Sequence, residues 1–432
     1  MFVSYKTITI MTHNFKLIVS VATILFLFFS CNTDNSEIAD TEKPTAPSEL
    51  KATEISKNSF VLNWKKSTDN VGVTEYVIHI NGNKLTTNDS KYTFTGLQPA
   101  TSYSVSLEAK DAAGNISEIS QTLLVVTEVP DVDVYLSGNS SYLKNGNIFD
   151  LEGINGFSSK GSLIFVGQNN IYNAGNISSN ELLIATYWKN GKINFLEPSN
   201  STSRSTAEDL AIYGNDVYIA GSVTQYSPYY YYKCYWKNGI KTILEQSTYS
   251  GSYSQPKNSV MKVYKGDIYI ASQNYSLIYH PVYWKNGVME RLSFSLPINN
   301  VQIECIDVEN DDVYIAGSAL NVDNVSTGFY WKNKQFQLIP GSRYISAIDV
   351  VGNDVYVAGI TNNGNAAYWK NGLQVNLSYG QTVTGIQVMY NDVYVSTLHT
   401  GEGTSVAKIF KNGTEIYSAN NLGYSKVFVA EK

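Results

Sequence analysis

Few residues in this sequence have the types and the spacing that catalysis or metal binding requires. In the long C-terminal part, the histidines are His280 and His399, and neither lies in a Ser-His-Asp-like string or at metal-ligand spacing. Nucleophile-elbow, P-loop and EF-hand patterns are absent. We therefore predict no catalytic residue, no metal site and no cofactor, and we favour a binding protein over an enzyme. Carboxylates brought together by folding would still allow a polysaccharide hydrolase or lyase.

The composition excludes one class of partner and favours one class of fold. Charged residues are only 16% of the chain, the formal net charge is -6, and no long run of Lys or Arg occurs. A nucleic-acid-binding surface is therefore not expected. The 33 tyrosines bring the aromatic share to 13%, and this high aromatic content together with the low charged content is typical of β structure.

The N-terminal segment has the pattern of a targeting peptide. A mostly apolar run, Leu17 to Phe29, precedes Ser30 and Cys31. As a helix this run would span about 20 Å, which is short of the roughly 30 Å hydrocarbon core, so residues 1–30 are predicted to be a cleaved signal peptide. A small residue directly before a cysteine resembles the lipobox of bacterial lipoproteins. The resemblance implies lipidation of Cys31 and anchoring to the membrane; an ordinary secretory peptide is the alternative.

Two segments follow the predicted signal peptide. Residues 31–46 form the lipidated N-terminus and a polar, acidic linker without aromatic residues, which is predicted to be flexible. Residues 47–127 contain six or seven short alternating runs separated by Asn, Gly, Asp or Pro. This spacing predicts a β-sandwich.

The sandwich resembles a known family. Its motifs are Pro47, Leu50, Trp64, Tyr76 and the segment GLQPATSYSVSLEAKDAAGN. In this order they are similar to the fibronectin type III family. The resemblance implies that Trp64 is a core residue and that Tyr103, within the last segment, forms the tyrosine corner. Such modules often act as spacers, and the integrin-binding RGD tripeptide is absent.

From residue 128 onward, two short strings alternate along the chain. One is D-V-Y-[IV]-A-G with variants, and the other is Y-W-K-N-G, with Leu143 and Phe410 replacing the tryptophan in the outermost copies. Seven copies of each indicate seven units of four strands, here named a, b, c and d. The Asn-Gly pair between c and d predicts a type I′ hairpin. The Asp that begins strand b is predicted to bond local amides in the a–b turn.

The two ends of the repeat region complement each other. It begins with a b strand, DVDVYLSG, and ends with an a strand, YSKVFVAEK. We therefore expect an all-β protein in which residues 128–432 form a seven-bladed β-propeller closed by the C-terminal strand. The repeat resembles uncharacterised propellers of Bacteroidota-type lipoproteins. That resemblance implies a cell-envelope, outer-membrane location, surface-exposed or periplasmic, and no defined activity.

The repeat also assigns roles to the tryptophans and cysteines. One tryptophan per unit is expected to pack between neighbouring blades. Cys234 and Cys305 are expected to be buried thiols on strands two blades apart, which is too far for a disulfide.

The candidate ligand-binding surface is the face formed by the b–c and d–a connections, because these vary in length whereas the opposite turns do not. The third unit places Tyr226, Tyr229, Tyr230, Tyr231 and Tyr232 between its b and c strands. Tyrosine suits stacking on sugar rings or anchoring a protein, although packing within the blade is the alternative. The sequence thus predicts a monomeric binding or adhesion lipoprotein for a glycan or a protein. A polysaccharide-active enzyme and a scaffold of an envelope complex are the other candidates.

Overall fold

A computed structural model describes residues 39–432 except 156, 168, 180–181, 199–202, 227–228, 248–258, 275–279, 294–298, 322, 402 and 424. The described residues form strands and no helix, which confirms the all-β prediction. Within these residues, no helix could cross a membrane. The chain divides into two compact units. One comprises Met1–Glu49, Lys65–Ser90 and Ser106–Gln121, and the other comprises Leu50–Trp64, Lys91–Val105 and Thr122–Lys432.

Seven strands precede the repeat region. They are β1 (Ser48–Thr53), β2 (Phe60–Lys65), β3 (Val73–Ile80), β4 (Asn83–Thr87), β5 (Lys91–Phe94), β6 (Ser102–Asp111) and β7 (Leu123–Val126). They form one sheet of order β1-β2-β5 and one of order β4-β3-β6-β7. Alternate residues of β2, β3 and β6 are buried, and Trp64 is 6% exposed. The Tyr103 hydroxyl accepts a hydrogen bond from the Gln98 N–H at 2.8 Å, which confirms the predicted tyrosine corner.

The repeat region consists, in its described part, of seven four-stranded antiparallel sheets. Sheet 1 contains β8 (Val132–Ser137), β9 (Ser141–Lys144), β10 (Asn147–Asp150) and the last strand, β35 (Val427–Glu431). Sheet 2 contains β11 (Ser158–Gly167), β12 (Asn170–Ser178), β13 (Leu183–Lys189) and β14 (Lys192–Phe195). Sheet 3 contains β15 (Ser203–Tyr213), β16 (Asp216–Tyr226), β17 (Tyr229–Lys237) and β18 (Ile240–Ser247). Sheet 4 contains β19 (Val260–Tyr264), β20 (Asp267–Asn274), β21 (His280–Lys285) and β22 (Val288–Arg291).

The remaining three sheets have the same layout. Sheet 5 contains β23 (Asn299–Glu309), β24 (Asp312–Leu320), β25 (Ser326–Lys332) and β26 (Gln335–Leu338). Sheet 6 contains β27 (Ser342–Val351), β28 (Asp354–Thr361), β29 (Ala366–Lys370) and β30 (Leu373–Asn376). Sheet 7 contains β31 (Thr382–Met389), β32 (Asp392–Gly401), β33 (Thr404–Lys411) and β34 (Thr414–Asn420).

The strand order within the sheets agrees with the repeat. Sheets 2 to 7 run a-b-c-d in chain order, with each strand bonded to the next. In sheet 1, β35 supplies strand a and pairs with β8, so that Val429 lies opposite Val134. The predicted pairing of the C-terminal strand with the first b strand is therefore present.

The turns between strands c and d are held by a recurring group of side chains, in which Asn170 replaces the Asp in sheet 2. In sheet 6, Asn371 adopts a φ of 49° and its Oδ1 accepts a hydrogen bond from the Val355 N–H at 2.9 Å. Its Nδ2 donates to Asp354, which also pairs with Lys370, and the Lys370 ammonium lies 5.1 Å from the ring centre of Tyr356. The predicted role of the strand-b Asp is thus corrected: the asparagine bonds the amide, and the Asp holds the asparagine and the lysine. The equivalent ion pairs are Asp133–Lys144, Asp216–Lys237, Asp267–Lys285, Asp312–Lys332 and Asp392–Lys411.

We expect Asn371→Ala to lower the free energy of unfolding by about 1 to 2 kcal/mol, because alanine disfavours the positive φ and cannot bond the Val355 amide. Urea denaturation measures this change. Asn363→Ala, at an exposed position in the b–c turn of the same sheet, is the control and should be nearly neutral. Equal losses for the two variants would contradict the assigned role.

The glycine of the D-V-Y-[IV]-A-G string is required by a β-bulge in the neighbouring a strand. In sheet 6, the bulge between Ile345 and Ala347 brings the Tyr344 carbonyl oxygen to 1.9 Å from the place where a Cβ of Gly359 would stand. The same obstruction, at 1.8 to 1.9 Å, occurs at Gly175, Gly221 and Gly317. Glycine at these positions therefore permits the close approach of the two backbones.

Each sheet of the repeat region packs on the sheet before it and the sheet after it. Seven clusters of buried apolar side chains each combine residues of two sheets that follow one another, and one of them joins sheet 7 to sheet 1. The predicted inter-sheet packing of the repeat tryptophans is confirmed, since each is at most 2% exposed within such a cluster. These residues are Trp188, Trp236, Trp284, Trp331 and Trp369.

Candidate functional site

The a strands of all seven sheets line a common pocket of about 600 Å³, here called the a-strand pocket. Most of its lining residues are apolar, but they include five carboxylates and two lysines. These charged residues are Glu208, Asp209, Lys262, Glu304, Asp307, Asp349 and Lys426. Sequence analysis did not single out any of them. The sequence feature that could have identified them is a charged residue within an a strand whose other residues alternate between apolar and polar.

The first group of charges centres on Glu208 of β15. Its side chain is 7% exposed and lies 3.4 Å from the Lys233 ammonium, which is 1% exposed and belongs to β17. The carboxylate also accepts hydrogen bonds from the Thr206 and Ser222 hydroxyls and from the Ser259 N–H, at 2.7 to 2.8 Å. Burial by itself would raise the pKa of Glu208, but Lys233 and these donors lower it below its usual value. Glu208 is therefore a buried, fully bonded carboxylate.

The second group combines Lys262, Asp307 and Asp349 on three successive a strands. The Lys262 ammonium lies 2.5 Å from the carboxylate of Asp307. Burial and the negative charge of Asp307 raise the pKa of Asp349 to about 8. The two carboxyl groups are hydrogen-bonded to each other, and Asp349 carries a proton at neutral pH.

These acidic side chains also connect successive a strands. Asp307 accepts a hydrogen bond from the Val350 N–H at 2.7 Å, and Asp349 accepts one from the Val388 N–H at 2.6 Å. Asp209 and Gln387 bond the following a strand in the same way, through Met261 and Val429. The polar residues of the pocket thus have a structural role that accounts for their burial.

A second depression lies where the b–c connections of sheets 1 and 7 meet the d–a connection that follows β34. It has a volume of about 570 Å³ and is here called the Asn-Thr groove. Among the described residues, its lining consists of polar residues and glycine. The residues are Asn139, Thr400, Gly401, Gly403, Thr404, Ser405, Asn421 and Gly423. This is the same set of connections that the sequence proposed as a binding face, although sequence analysis did not name these residues.

The predicted tyrosine cluster lies in strands rather than in a loop. Tyr226 ends β16 and pairs with Tyr229, which begins β17, so the expected b–c loop is corrected to an extended hairpin. Tyr226 is 50% exposed, whereas Tyr231 is 5% exposed and packs within its sheet. The rings of Tyr230 and Tyr232, both partly buried, lie 5.9 Å apart. The hairpin therefore combines exposed and buried tyrosines, as strand alternation requires.

The structure shows the surroundings of Cys234, Cys305 and His399. Cys234 is buried and Cys305 is half-buried, and both are free thiols on sheets 3 and 5, so the prediction of no disulfide between them is confirmed. The ring centre of His399 lies 5.1 Å from that of Tyr379, and the two rings are tilted by 40°. Cys31 lies outside the described residues. Within the described part of the chain, one group of acidic side chains has metal-ligand spacing, and it belongs to the N-terminal unit.

Comparison with known proteins identifies one domain. Residues 45–125 match the fibronectin type III domain family. The chain is 46% identical over 90 residues to chitinase A1 of Niallia circulans, which covers 20% of this chain and 13% of that protein. It is 44% identical over 89 residues to chitinase Chi52 of Paenibacillus xylanexedens, covering 20% and 17%. A solved structure of chitinase ChiA74 from Bacillus thuringiensis shares 29% identity at a TM-score of 0.20, over 26% of this chain and 24% of that one.

The chain thus carries a fibronectin type III domain near its N-terminus, as the sequence motifs implied. It spans less than a fifth of the length of the two Niallia and Paenibacillus chitinases. The similarity to these chitinases is therefore confined to the fibronectin type III domain.

Proposed function

We propose that this protein is a monomeric, membrane-anchored lipoprotein of the cell envelope that binds polysaccharide through the Asn-Thr groove of a seven-bladed β-propeller. Residues 128–432 would form the propeller. Two observations support a propeller. Each sheet packs on the next, including sheet 7 on sheet 1, and one pocket is lined by all seven a strands. The anchor would be a lipid on Cys31, displaying the protein at the outer membrane.

The observation that carries the binding proposal is the lining of the groove. Hydroxyl and amide groups can donate and accept hydrogen bonds at once, which matches the hydroxyl groups of a sugar. The glycines among them let a ligand approach the backbone closely. The groove has the size of an ordinary small-ligand site and lies on connections between strands, where binding residues are commonly found.

The relatives of the N-terminal domain support a carbohydrate ligand over a protein. Chitinases and glucanases carry similar fibronectin type III domains. Here the domain would serve as a spacer between the lipid anchor and the propeller. The tyrosine hairpin, with Tyr226, Tyr229, Tyr230, Tyr231 and Tyr232, would add a second contact area, on which exposed rings stack against sugar.

The proposal predicts saturable binding to at least one polysaccharide on a glycan array, confirmed by isothermal titration. We expect Asn139→Ala/Thr400→Ala to weaken the binding about tenfold or more, because each change removes a group that bonds the ligand. Tyr226→Ser/Tyr230→Ser should weaken binding to long chains more than binding to short oligosaccharides, because only long chains would reach both surfaces.

The matched control is Asn147→Ala/Thr414→Ala. These exposed residues begin the d strands of the same two sheets, beside the c–d turns. This variant should bind as the wild type does. Equal losses in the control and the groove variant, or no binding by the wild type to any glycan, would overturn the groove proposal. The latter result would favour a scaffold with a protein partner.

A polysaccharide hydrolase or lyase is the second candidate. The observation in its favour is Asp349, whose raised pKa keeps it protonated as a general acid must be. The distance between Asp349 and its neighbouring carboxyl group argues against an enzyme, because glycosidase carboxyl groups stand about 5 to 10 Å apart with the sugar between them. Asp307 and Asp349 are instead bonded directly to each other. Reducing-sugar assays on the ligand found by the array would test this candidate.

A further inference from the structure

Three aspartates of the N-terminal compact unit converge although they are far apart in sequence. Asp40 precedes β1, Asp69 lies in the connection between β2 and β3, and Asp111 ends β6. One carboxylate oxygen of each lies within 4.8 Å of the corresponding oxygens of the other two. Asp111 is only 2% exposed.

Each aspartate is held by hydrogen-bond donors of nearby residues. The Asn70 Nδ2 donates to Asp40 Oδ1 at 3.0 Å. The N–H groups of residues 71 and 72 donate to Asp69 Oδ2 at 3.0 and 2.8 Å. Asn115 bonds both oxygens of Asp111, at 2.8 and 2.7 Å. The three carboxylates are therefore held in one arrangement by the surrounding chain.

Within the described residues, two oxygens of these aspartates lack a hydrogen-bond partner. Asp40 Oδ2 and Asp69 Oδ1 are both shielded from solvent and accept no hydrogen bond. Buried carboxylate oxygens are normally bonded or paired with a cation, because their desolvation is costly. Within the described residues, no Lys, Arg or His nitrogen pairs with these aspartates; the nearby Lys43 and Lys110 pair with Glu118 and Glu75 instead. The negative charge of the three carboxylates is therefore not balanced by a cationic side chain among the described residues.

We propose that Asp40, Asp69 and Asp111 bind a Ca²⁺ ion. The donors are all oxygens, which favours a hard divalent cation over zinc, and the side chains come from separate loops and a strand end, which suits the flexible coordination of Ca²⁺ better than the strict octahedron of Mg²⁺. Rotation of the Asn70 or Asn115 amide would add a neutral oxygen ligand, because these amides already contact Asp40 and Asp111.

The ion would attach the segment around Asp40 to the rest of its unit. Asn115 Nδ2 already donates to the Asp40 carbonyl oxygen at 3.1 Å, so the segment is positioned for this role. Calcium would thereby fix the point at which the polypeptide leaves the fibronectin type III domain toward its N-terminus.

The test is titration of Ca²⁺ into the purified full-length protein after removal of divalent ions with EDTA. We expect one site, with affinity reduced at least tenfold in Asp40→Asn and in Asp69→Asn. These substitutions keep the shape and the hydrogen-bond acceptors while they remove the charge. Asp89→Asn, at an exposed position in the same unit, is the matched control and should bind normally.

Thermal unfolding separates ion binding from a merely structural role. In EDTA, Asp40→Asn should raise the unfolding temperature, because it relieves repulsion between carboxylates; in excess Ca²⁺ it should lower that temperature relative to the wild type, because a ligand is lost. Absence of Ca²⁺ binding by the wild type, binding unchanged in both variants, or a loss of stability in Asp40→Asn that is independent of Ca²⁺ would overturn the proposal.

Discussion

Replacing Lys233 with methionine is expected to lower the free energy of unfolding by about 3 to 5 kcal/mol, the largest effect that the structure predicts for one side chain. Methionine fills much of the same volume, so the loss comes from charge and not from a cavity. The Glu208 carboxylate would remain buried, with its hydroxyl and amide donors but without its cation. Urea denaturation at pH 7 measures the change.

The pH dependence identifies the cause. In the wild type the pKa of Glu208 is lowered, so Glu208 stabilises the fold above the pKa of the unfolded chain, and this stabilisation is lost as the pH falls through the folded-state pKa. Without Lys233 the carboxyl should instead take up a proton readily, so the deficit of the variant should shrink from pH 7 to pH 4. A deficit that does not vary with pH would contradict this account.

Two further variants serve as controls. Lys237→Met removes an ion pair with Asp216 whose partners are 46% and 36% exposed, and it should lower the free energy of unfolding far less than Lys233→Met does, because solvent screens exposed charges. Glu208→Gln/Lys233→Met removes both buried charges and should recover part of the loss. If Lys233→Met costs no more than Lys237→Met, the buried pair is not important for stability.

Replacing Asp349 with asparagine is expected to stabilise the protein at pH 8 and to have little effect at pH 5. The pKa of Asp349 is raised to about 8, so the folded protein holds a proton that the unfolded chain releases near pH 4. Stability of the wild type should therefore fall as the pH rises between these values, by at most about 1.4 kcal/mol per unit, and level off above pH 8. An asparagine Nδ2 can donate to Asp307 as the protonated carboxyl does, while its oxygen still accepts from the Val388 N–H.

Asp307→Asn is the matched comparison, because it changes the other member of the same pair. It would leave Lys262 without its carboxylate and remove one acidic neighbour of Asp349, so we expect it to destabilise the protein at every pH from 5 to 8. Chemical denaturation of both variants across this range measures the two profiles. The assignment of the proton to Asp349 fails if the two variants respond alike.

Sequence patterns predicted the strands and turns well because these depend on local spacing. The Asn-Gly pair fixed the c–d turns, and Asn371 and its equivalents indeed have positive φ. The tryptophans and Tyr103 were also predictable, since alternation and a family motif placed them in the core. The strand-b Asp was assigned the wrong partners, because its contacts come from the asparagine of the c–d turn and the lysine that ends strand c of the same sheet.

The candidate sites were less accessible to sequence analysis for a physical reason. Glu208 meets Lys233 only after three strands have paired, and Asp307 meets Asp349 only after two sheets have packed. The groove is formed by glycine, threonine and asparagine residues from connections at both ends of the repeat region. In a sequence, these residue types indicate only turns. The tyrosine run was noticed because it is local, and strand alternation then divided its members between solvent and core.

The pairing of β35 with β8 determines when the repeat region can finish folding. During synthesis, the b strand of sheet 1 emerges early, whereas the a strand that completes its sheet emerges only with Val427–Glu431. A contact between residues so distant in sequence closes slowly, because a long loop must first be ordered. Until then β8 has an open edge to which a strand of another chain could add. The interval between the arrival of these two strands is therefore the period in which the nascent protein is most prone to aggregate, and a short deletion at the C-terminus would extend it indefinitely.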